Sequence, residues 1–325
     1  MVFILKTIKR LTLTNSTLMK KTKNSPQTIG IIGLGIMGGI MAETLLMNDF
    51  TVCGYDIVPD AIKRLKKAKG QPLKSVREVI LKSDVVITSL ATSQALLEVF
   101  AQIKQTLIEH PKKIILIETS TLSMSDKEFI AQDLKIDGVE LLDCPISGTA
   151  ARMKDRAWTI FVSGNEKISK KMKPIFECLS DNFPYVGDYG NGLKMKMIAN
   201  HLVAIYNVAC AESTIFAKKI GLDPQDVLDI FGPSPVIGTG VMRLRMPFMI
   251  DRQYTPPTMK VEVWQKDMQV IGDLAKSVGC PLPIFNATAP IYTAAMAQGL
   301  AKSDTASTAE VIGQMAGLYT DKKHS

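Results

Sequence analysis

Residues 28–46 are TIGIIGLGIMGGIMAETLL, and this stretch decides the fold. A short apolar run, typical of a buried strand, leads directly into three glycines spaced as GxGxxG, and a helical pattern follows. In this arrangement Gly33 permits a tight turn, Gly35 lets the backbone approach a pyrophosphate, and Gly38 lets the helix pack against the strand. The free N–H groups at the start of the helix would hold the phosphates. The residues expected to form this dinucleotide site are Gly33, Gly35, Ile36, Met37 and Gly38.

A second predicted strand, Thr51–Asp56, ends in an acid about twenty residues after the glycine turn, where such folds bind the adenosine ribose. The Asp56 carboxylate can accept hydrogen bonds from both ribose hydroxyls and repels a 2′-phosphate. No arginine follows Asp56 immediately, so the sequence favours NAD over NADP. The other interpretation of these residues is a glycine-rich turn beside a solvated acid.

Short β-branched runs alternate with amphipathic stretches from Thr28 to about Gly187, and helical periodicity dominates afterwards. This order predicts an α/β fold, a Rossmann-type doubly wound sheet, followed by an all-α C-terminal domain and joined to it by a long interdomain helix. The predicted domains are a basic flexible leader (1–27), an NAD-binding domain (28–188) and a helical substrate and oligomerisation domain (189–320). The predicted strands are Ile29–Gly33, Thr51–Asp56, Asp84–Leu90, Lys113–Glu118, Val139–Asp143 and Trp158–Val162; the later predicted helices are Lys194–Ile220, Pro224–Phe231, Val261–Val278, Pro283–Leu300 and Thr305–Leu318.

Polar loops follow two further predicted strands. Because ligands of open α/β sheets bind beyond the carboxyl ends of the strands, both loops are expected to face the crevice. The alternative is that their Ser and Thr side chains only cap helices, which is the commoner use. The cofactor candidates in these loops are Leu90, Ala91 and Thr121.

The composition, 46% hydrophobic and 22% charged, is that of a globular protein with a large core. Of the net charge of +8, the first 28 residues contribute +6 and the remainder only +2, so a broad phosphate-binding face is not expected. The most apolar stretch, Met195 to Ile220, is interrupted by charged and polar residues. We therefore expect neither a nucleic-acid nor a membrane partner.

The leader is basic, rich in Ser and Thr and free of acids. It is interpreted as an organellar transit peptide, as an unstructured tail, or as residues upstream of a true translation start at Met19. Because it lacks the arginine richness of transit peptides, we expect a cytoplasmic protein, with a mitochondrial location as the alternative. Five scattered cysteines without a CxxC pair indicate a reduced compartment, and three histidines without ligand spacing predict no metal site.

Two later segments carry candidate chemistry. One is the run Asp143–Gly148 (DCPISG), and the other is Gly190–Asn200 (GNGLKMKMIAN). On a helix, Lys196 and Asn200 share one face because they are four residues apart. A lysine and an amide are costly to bury in an interdomain helix unless the protein uses them, so both are candidate catalytic residues.

At these residues the chain resembles the β-hydroxyacid dehydrogenase family, which includes 3-hydroxyisobutyrate dehydrogenase, tartronate semialdehyde reductase and, more distantly, 6-phosphogluconate dehydrogenase. The resemblance extends over roughly residues 28–318 and rests on four motifs in order. They are Gly33–Gly38 (GxGxMG), Asp143–Gly148 (D-x-P-x-S-G), Gly192–Asn200 (G-x-x-x-K-x-x-x-N) and the pair Lys266-Asp267. Any one motif is weak evidence, but the four in this order are specific.

The resemblance implies hydride transfer between NAD and the hydroxyl carbon of a small hydroxy acid, with a 3-hydroxy acid expected. It implies that Lys196 is the general acid/base and that Asn200 holds the reacting hydroxyl or the carboxylate against it. A lysine at its ordinary pKa is a poor base, and burial beside a nicotinamide cation lowers that pKa. Further implied contacts are Ser147, Gly148 and Thr149 with the substrate, Thr121 at the boundary between nicotinamide and substrate, and Lys266 with the cofactor.

The chain departs from the family pattern after Gly148. Many relatives have a second glycine where this chain has Thr149, and a further glycine where it has Arg152. Threonine removes a position that permits close approach, and it adds a hydroxyl for a polyol or a larger acid. Arg152 and Arg156 either meet an anionic group or belong to the solvated surface. This departure leaves the identity of the substrate undetermined, whereas the expected chemistry is unaffected.

Two other functions remain as alternatives. One is an NADPH-dependent reductase of small aldehyde acids, which Asp56 opposes. The other is a non-catalytic dinucleotide-binding interaction protein, against which the presence of Lys196 and Asn200 in register argues. A buried interdomain helix and an apolar helical domain favour a homo-oligomer, a dimer or a tetramer.

Overall fold

The computed structural model describes residues 28–148 and 156–319. Its strands are β1 Ile29–Ile32, β2 Val52–Tyr55, β3 Gln71–Pro72, β4 Val85–Thr88, β5 Ile114–Glu118, β6 Val139–Asp143, β7 Ile146–Ser147, β8 Thr159–Ile160 and β9 Ser163–Gly164. Seven of them form one sheet in the order β3-β2-β1-β4-β5-β6-β9, which is parallel except for β9. The strands β7 and β8 pair antiparallel in a separate small sheet. The strand order reverses between β1 and β4, and the crevice beyond their carboxyl ends is where such sheets bind ligands.

Helices cover both faces of the large sheet. They are α1 Ile36–Met47, α2 Pro59–Lys67, α3 Val76–Lys82, α4 Ser93–Glu109, α5 Met124–Asp133 and α6 Glu166–Leu179. Successive residues of a strand point to opposite faces, so Ile31 packs in a core with Met41 of α1 and Phe176 of α6, whereas Ile32 packs with Leu96 of α4. The sheet is therefore buried on both sides, as the apolar character of its strands requires.

The second half of the described chain is helical. It contains α7 Asn191–Lys219, α8 Pro224–Phe231, α9 Gly240–Asp251, α10 Val261–Ser277, α11 Pro283–Ala297, a 3₁₀ turn Thr305–Ser307 and α12 Thr308–Met315. The 29-residue α7 lies at the centre, and its buried Leu193 and Met197 share a core with Trp264 of α10 and Tyr292 of α11. Gly221 follows α7 with φ +83°, as expected of a glycine that ends a helix.

The α/β and all-α organisation predicted from the sequence is confirmed, although several elements differ from the prediction, among them the strands β3 and β7, which were not predicted. Of the predicted strand Trp158–Val162 only Thr159–Ile160 (β8) is a strand, and β9 begins after it at Ser163, because the chain leaves the small sheet to join the edge of the large one. The helix α9 was not predicted from the sequence, and it contains Pro247. Pro247 removes a backbone hydrogen bond, and the helix forms because its Met246 and Met249 are fully buried.

Within residues 28–148 and 156–319, no helix is apolar enough over a sufficient length to cross a membrane. The predicted leader lies outside the described residues, and the division of the chain at residue 188 stays a prediction.

Candidate functional site

The glycine turn lies at the end of β1, and its three glycines have three different geometries. Gly33 has φ +90°, which favours glycine, and an added Cβ would overlap the Ser89 carbonyl oxygen. At Gly38 an added Cβ would overlap the Gly33 carbonyl oxygen, so the helix α1 passes close to the turn. At Gly35 no atom lies within 4 Å of an added Cβ. Gly35 immediately precedes α1, no side chain caps the helix there, and the open space over it fits a pyrophosphate.

Asp56 follows β2 and is fixed by the backbone around it. One carboxylate oxygen accepts a hydrogen bond from Leu34 N at 2.6 Å, and the other accepts one from Val58 N at 2.7 Å. Arg64 of α2 lies beside the same turn, where its guanidinium donates to Leu34 O at 3.2 Å. Asp56 is therefore held next to the glycine turn, and lone pairs remain on both carboxylate oxygens for a ribose.

The loops after β4 and β5 are joined by a side chain. Ser120 Oγ accepts a hydrogen bond from Leu90 N at 2.8 Å, which fixes Leu90 and Ala91 at the carboxyl edge of the sheet. Thr92 caps α4 by accepting from Ala95 N at 3.1 Å, so the capping interpretation applies to that residue.

The helix α7 carries Lys196 and Asn200 on one buried face. Lys196 is 8% exposed, and Asn200 donates a hydrogen bond to Asp267 of α10 at 3.0 Å. The pKa of Lys196 is lowered from 10.5 to about 8, mainly by burial; the Asp267 carboxylate opposes this shift and the Lys266 ammonium adds to it. The helix thus presents an amine that changes charge close to neutral pH, beside an amide whose orientation is fixed.

Lys266 connects the helical half to the sheet. Its ammonium donates to the Thr121 carbonyl oxygen at 2.7 Å and lies 3.3 Å from Asp267. Through Lys266, the Thr121 backbone of the β5 loop and the Asp267 side chain are therefore connected. Sequence reasoning assigned a role only to the lysine of the Lys266-Asp267 pair, and missed that Asp267 reaches Asn200, because one sequence does not show the packing of α10 on α7.

The predicted substrate segment lies at the start of α7. Ser147 ends β7, and Gly148 has φ +146°, where an added Cβ would lie 2.7 Å from Trp158 Cβ. Thr149 and Arg152 lie outside the described residues. Arg156 forms an ion pair with Asp181 at 2.7 Å and has a 42% exposed side chain, so it belongs to the surface.

The N-terminus of α7 is capped by the same segment. The residue immediately before α7, Gly190, has no side chain for capping; instead Asp143 at the end of β6 accepts a hydrogen bond from Leu193 N at 2.8 Å. Ser163 accepts another from Gly192 N at 2.9 Å. The D-x-P-x-S-G and G-x-x-x-K-x-x-x-N motifs are therefore in direct contact, a relation that their separation in sequence does not reveal.

His201 stacks on Phe285 at 5.5 Å between ring centroids. Among the described residues, no group of three or more His, Cys, Asp or Glu side chains could hold a metal ion.

Two family models match the chain. The first, described as the NAD binding domain of 6-phosphogluconate dehydrogenase, matches residues 28–187, and the second, described as "NAD-binding of NADP-dependent 3-hydroxyisobutyrate dehydrogenase", matches residues 190–312. The chain belongs to the β-hydroxyacid dehydrogenase family. This confirms the resemblance predicted from the four motifs, and with it a dinucleotide-binding oxidoreductase, whose relatives include dehydrogenases named for 3-hydroxyisobutyrate and L-threonate.

Relatives in the family have similar lengths. The mouse mitochondrial 3-hydroxyisobutyrate dehydrogenase is 29% identical over 296 residues, with 87% of this chain and 86% of the relative covered. The L-threonate dehydrogenase of Pectobacterium atrosepticum is 27% identical over 295 residues, covering 90% and 96%. The crystal structure of 3-hydroxyisobutyrate dehydrogenase from Salmonella typhimurium superposes with a TM-score of 0.73 at 26% identity, covering 87% of this chain and 99% of the other.

Proposed function

We propose that this protein is an NAD-dependent dehydrogenase of a small 3-hydroxy acid in which Lys196 is the general acid/base. The observation that carries the proposal is the buried Lys196 amine with a pKa of about 8, on the helix face that also holds Asn200. General acid/base groups work best when their pKa lies near the operating pH. A lysine at its usual value would be almost entirely protonated.

A bound nicotinamide would supply the hydride acceptor for oxidation of the hydroxyl carbon and the hydride donor for reduction of the carbonyl. In oxidation the neutral Lys196 amine takes the hydroxyl proton, and in reduction the ammonium donates it back to the carbonyl oxygen. Asn200 holds the reacting oxygen against this amine, because its own amide is fixed by Asp267. The contact of Lys266 with the Thr121 carbonyl oxygen joins α10 to the loop after β5.

Binding of the dinucleotide is assigned to the crevice at the ends of β1, β2, β4 and β5. Gly33, Gly35, Ile36, Met37 and Gly38 would bind the pyrophosphate, and Leu90, Ala91, Thr121 and Lys266 would line the nicotinamide side. We propose NAD over NADP because Asp56 lies at the ribose position with its carboxylate fixed by two backbone N–H groups. A 2′-phosphate next to this carboxylate would bring two negative charges together.

The substrate carboxylate is proposed to bind Ser147 and the Gly148 N–H, with Thr149 as a further contact. The relatives named for 3-hydroxyisobutyrate and L-threonate support a short acid with a hydroxyl near its carboxylate. The decisive experiment is NADH formation by the purified protein with a panel of short 3-hydroxy acids and sugar acids such as threonate. Turnover of at least one member, lost in Lys196→Ala, is expected; no turnover of any member with either NAD or NADP would contradict the proposal.

We also propose a homo-oligomer, a dimer or a tetramer, in the cytoplasm. An apolar groove of about 490 Å³ between α7, α8 and α9 supports the assembly, since Phe216 and Val236 at this groove are 66% and 90% exposed. Light scattering on the protein as it elutes from a size-exclusion column measures its mass, and a monomer at micromolar concentration would contradict the assembly.

Imaging of the tagged full chain distinguishes the proposed cytoplasmic location from a mitochondrial one.

A further inference from the structure

A cluster of three buried charges lies between α5 and the carboxyl ends of β5 and β6. The Lys127 ammonium lies 2.5 Å from a Glu118 oxygen and 2.5 Å from an Asp143 oxygen, and all three side chains are fully buried. Burial alone would lower the pKa of Lys127, but the two carboxylates outweigh it and raise that pKa, so the amine stays charged. Buried ion pairs of this kind contribute little net stability, which leaves their purpose unexplained by folding alone.

The two carboxylates extend the cluster in opposite directions. Glu118 accepts a hydrogen bond from Ser120 N at 2.8 Å, and Ser120 in turn holds Leu90 N, so this side reaches the loops assigned to the cofactor. Asp143 accepts from Leu193 N at 2.8 Å, in the first turn of α7. Leu193 precedes Lys196 by three residues, roughly 4.5 Å along the helix axis.

We propose that Lys127 is a positioning residue, which fixes the start of α7, and with it the Lys196 amine, relative to the loops that carry the cofactor. Hydride and proton must move at one carbon and its oxygen, so the amine and the nicotinamide need one fixed separation. Lys127 supplies it through a single chain of contacts, from Leu90 by way of Ser120 and Glu118 to Asp143 and Leu193. The role in catalysis rests on the proposed function; the effect on α7 does not.

The test compares Lys127→Met with the double variant Glu118→Gln/Lys127→Met. The single variant leaves two buried carboxylates facing each other and is prone to unfold. The double variant keeps the wild-type cluster charge of one negative unit, and is therefore the variant on which the proposal stands. Lys104→Met is the matched control, because Lys104 also pairs with an aspartate of α5, Asp133 at 2.5 Å, but at the surface.

Hydrogen exchange of peptides covering residues 190–197 is the first measurement. The double variant is expected to exchange these amides at least tenfold faster than the wild type, while peptides from the second half of α7 and the Lys104→Met control are unchanged. The midpoint pH of Lys196 acetylation, measured by mass spectrometry, should also be higher in the double variant, because the amine becomes more solvated. In the oxidation assay kcat should fall about 100-fold, the loss typical of an ångström-scale misplacement.

A folded double variant with wild-type exchange over 190–197 and wild-type acetylation of Lys196 would overturn the positioning role. If the wild-type chain oxidises no hydroxy acid, the proposed function fails, whereas the exchange and acetylation comparison still decides whether Lys127 holds α7.

Discussion

Lys196 provides the sharpest prediction, because its pKa of about 8 sets the pH dependence of both reaction directions. At pH 7 roughly one amine in ten is neutral, against about one in 3,000 for a lysine at the usual value. The difference is about 300-fold in the concentration of the base, or about 3.4 kcal/mol at 1.36 kcal/mol per pH unit. Oxidation needs the neutral amine, so its kcat/KM should rise with pH up to about 8 and then level; reduction needs the ammonium and should fall above that pH.

The assay is the absorbance of NADH in both directions across pH 6 to 10, since kcat/KM reports groups of the free enzyme. Lys196→Ala and Lys196→Arg should each lose about 10² to 10⁴ in kcat, because an arginine keeps the charge but does not lose its proton. NAD affinity, measured by calorimetry, should be largely unchanged in both. Asp267→Asn should move both pH profiles downward, because the Asp267 carboxylate raises the pKa of Lys196.

Profiles that keep the same midpoint in Asp267→Asn would show that another group titrates. A Lys196→Arg enzyme with near wild-type turnover would refute proton transfer by this residue and leave it only an electrostatic role.

Three further predictions concern the cofactor and the fold. Asp56→Ala should weaken NAD about tenfold or more while changing NADP less, and an unchanged ratio of the two KM values would remove the ribose assignment. Gly35→Ala should keep the wild-type Tm but bind NAD at least tenfold more weakly, since its methyl group enters the open space proposed for the pyrophosphate. Gly38→Ala should instead lose about 2 kcal/mol of stability or more, because its methyl group would overlap the Gly33 carbonyl oxygen. Thermal melts that show the same stability for both variants would contradict this prediction. Asn207→Ala should lower the free energy of unfolding in urea by about 1 to 3 kcal/mol, because the buried Asn207 amide donates hydrogen bonds to Tyr292 and to the 305–308 turn. The KM values should be unchanged. A wild-type unfolding midpoint would show that these hydrogen bonds do not contribute to stability.

The parallel sheet could be predicted well because each of its signals is local. The glycine turn, the acid after β2 and the apolar strands all lie within stretches of a few residues, and Gly33 and Gly38 have the close contacts that their spacing predicts. The prediction that Lys196 and Asn200 share one face also rested on a local signal, since residues four apart on a helix lie on the same face.

The rest depended on contacts between distant residues. Lys127 lies nine residues from Glu118 and sixteen from Asp143, on a different element, and a lysine in an amphipathic helix is normally solvated. Asp267 contacts Asn200 across 67 residues of chain. For α9 the local signal pointed the other way, because Pro247 disfavours a helix that the burial of its methionines nevertheless stabilises.

The contact at Gly192 has a consequence for protein engineering. An added Cβ there would lie 2.6 Å from the Phe161 carbonyl oxygen and 2.7 Å from that of Asp143, so the two halves touch with no room for a side chain. The seam between the matched family segments, at residues 187–190, is thus a poor place to exchange modules between relatives. A chimaera would have to take residues 143, 163 and 192 from the same relative, because otherwise the start of α7 would not pack against the end of β6 at the correct distance.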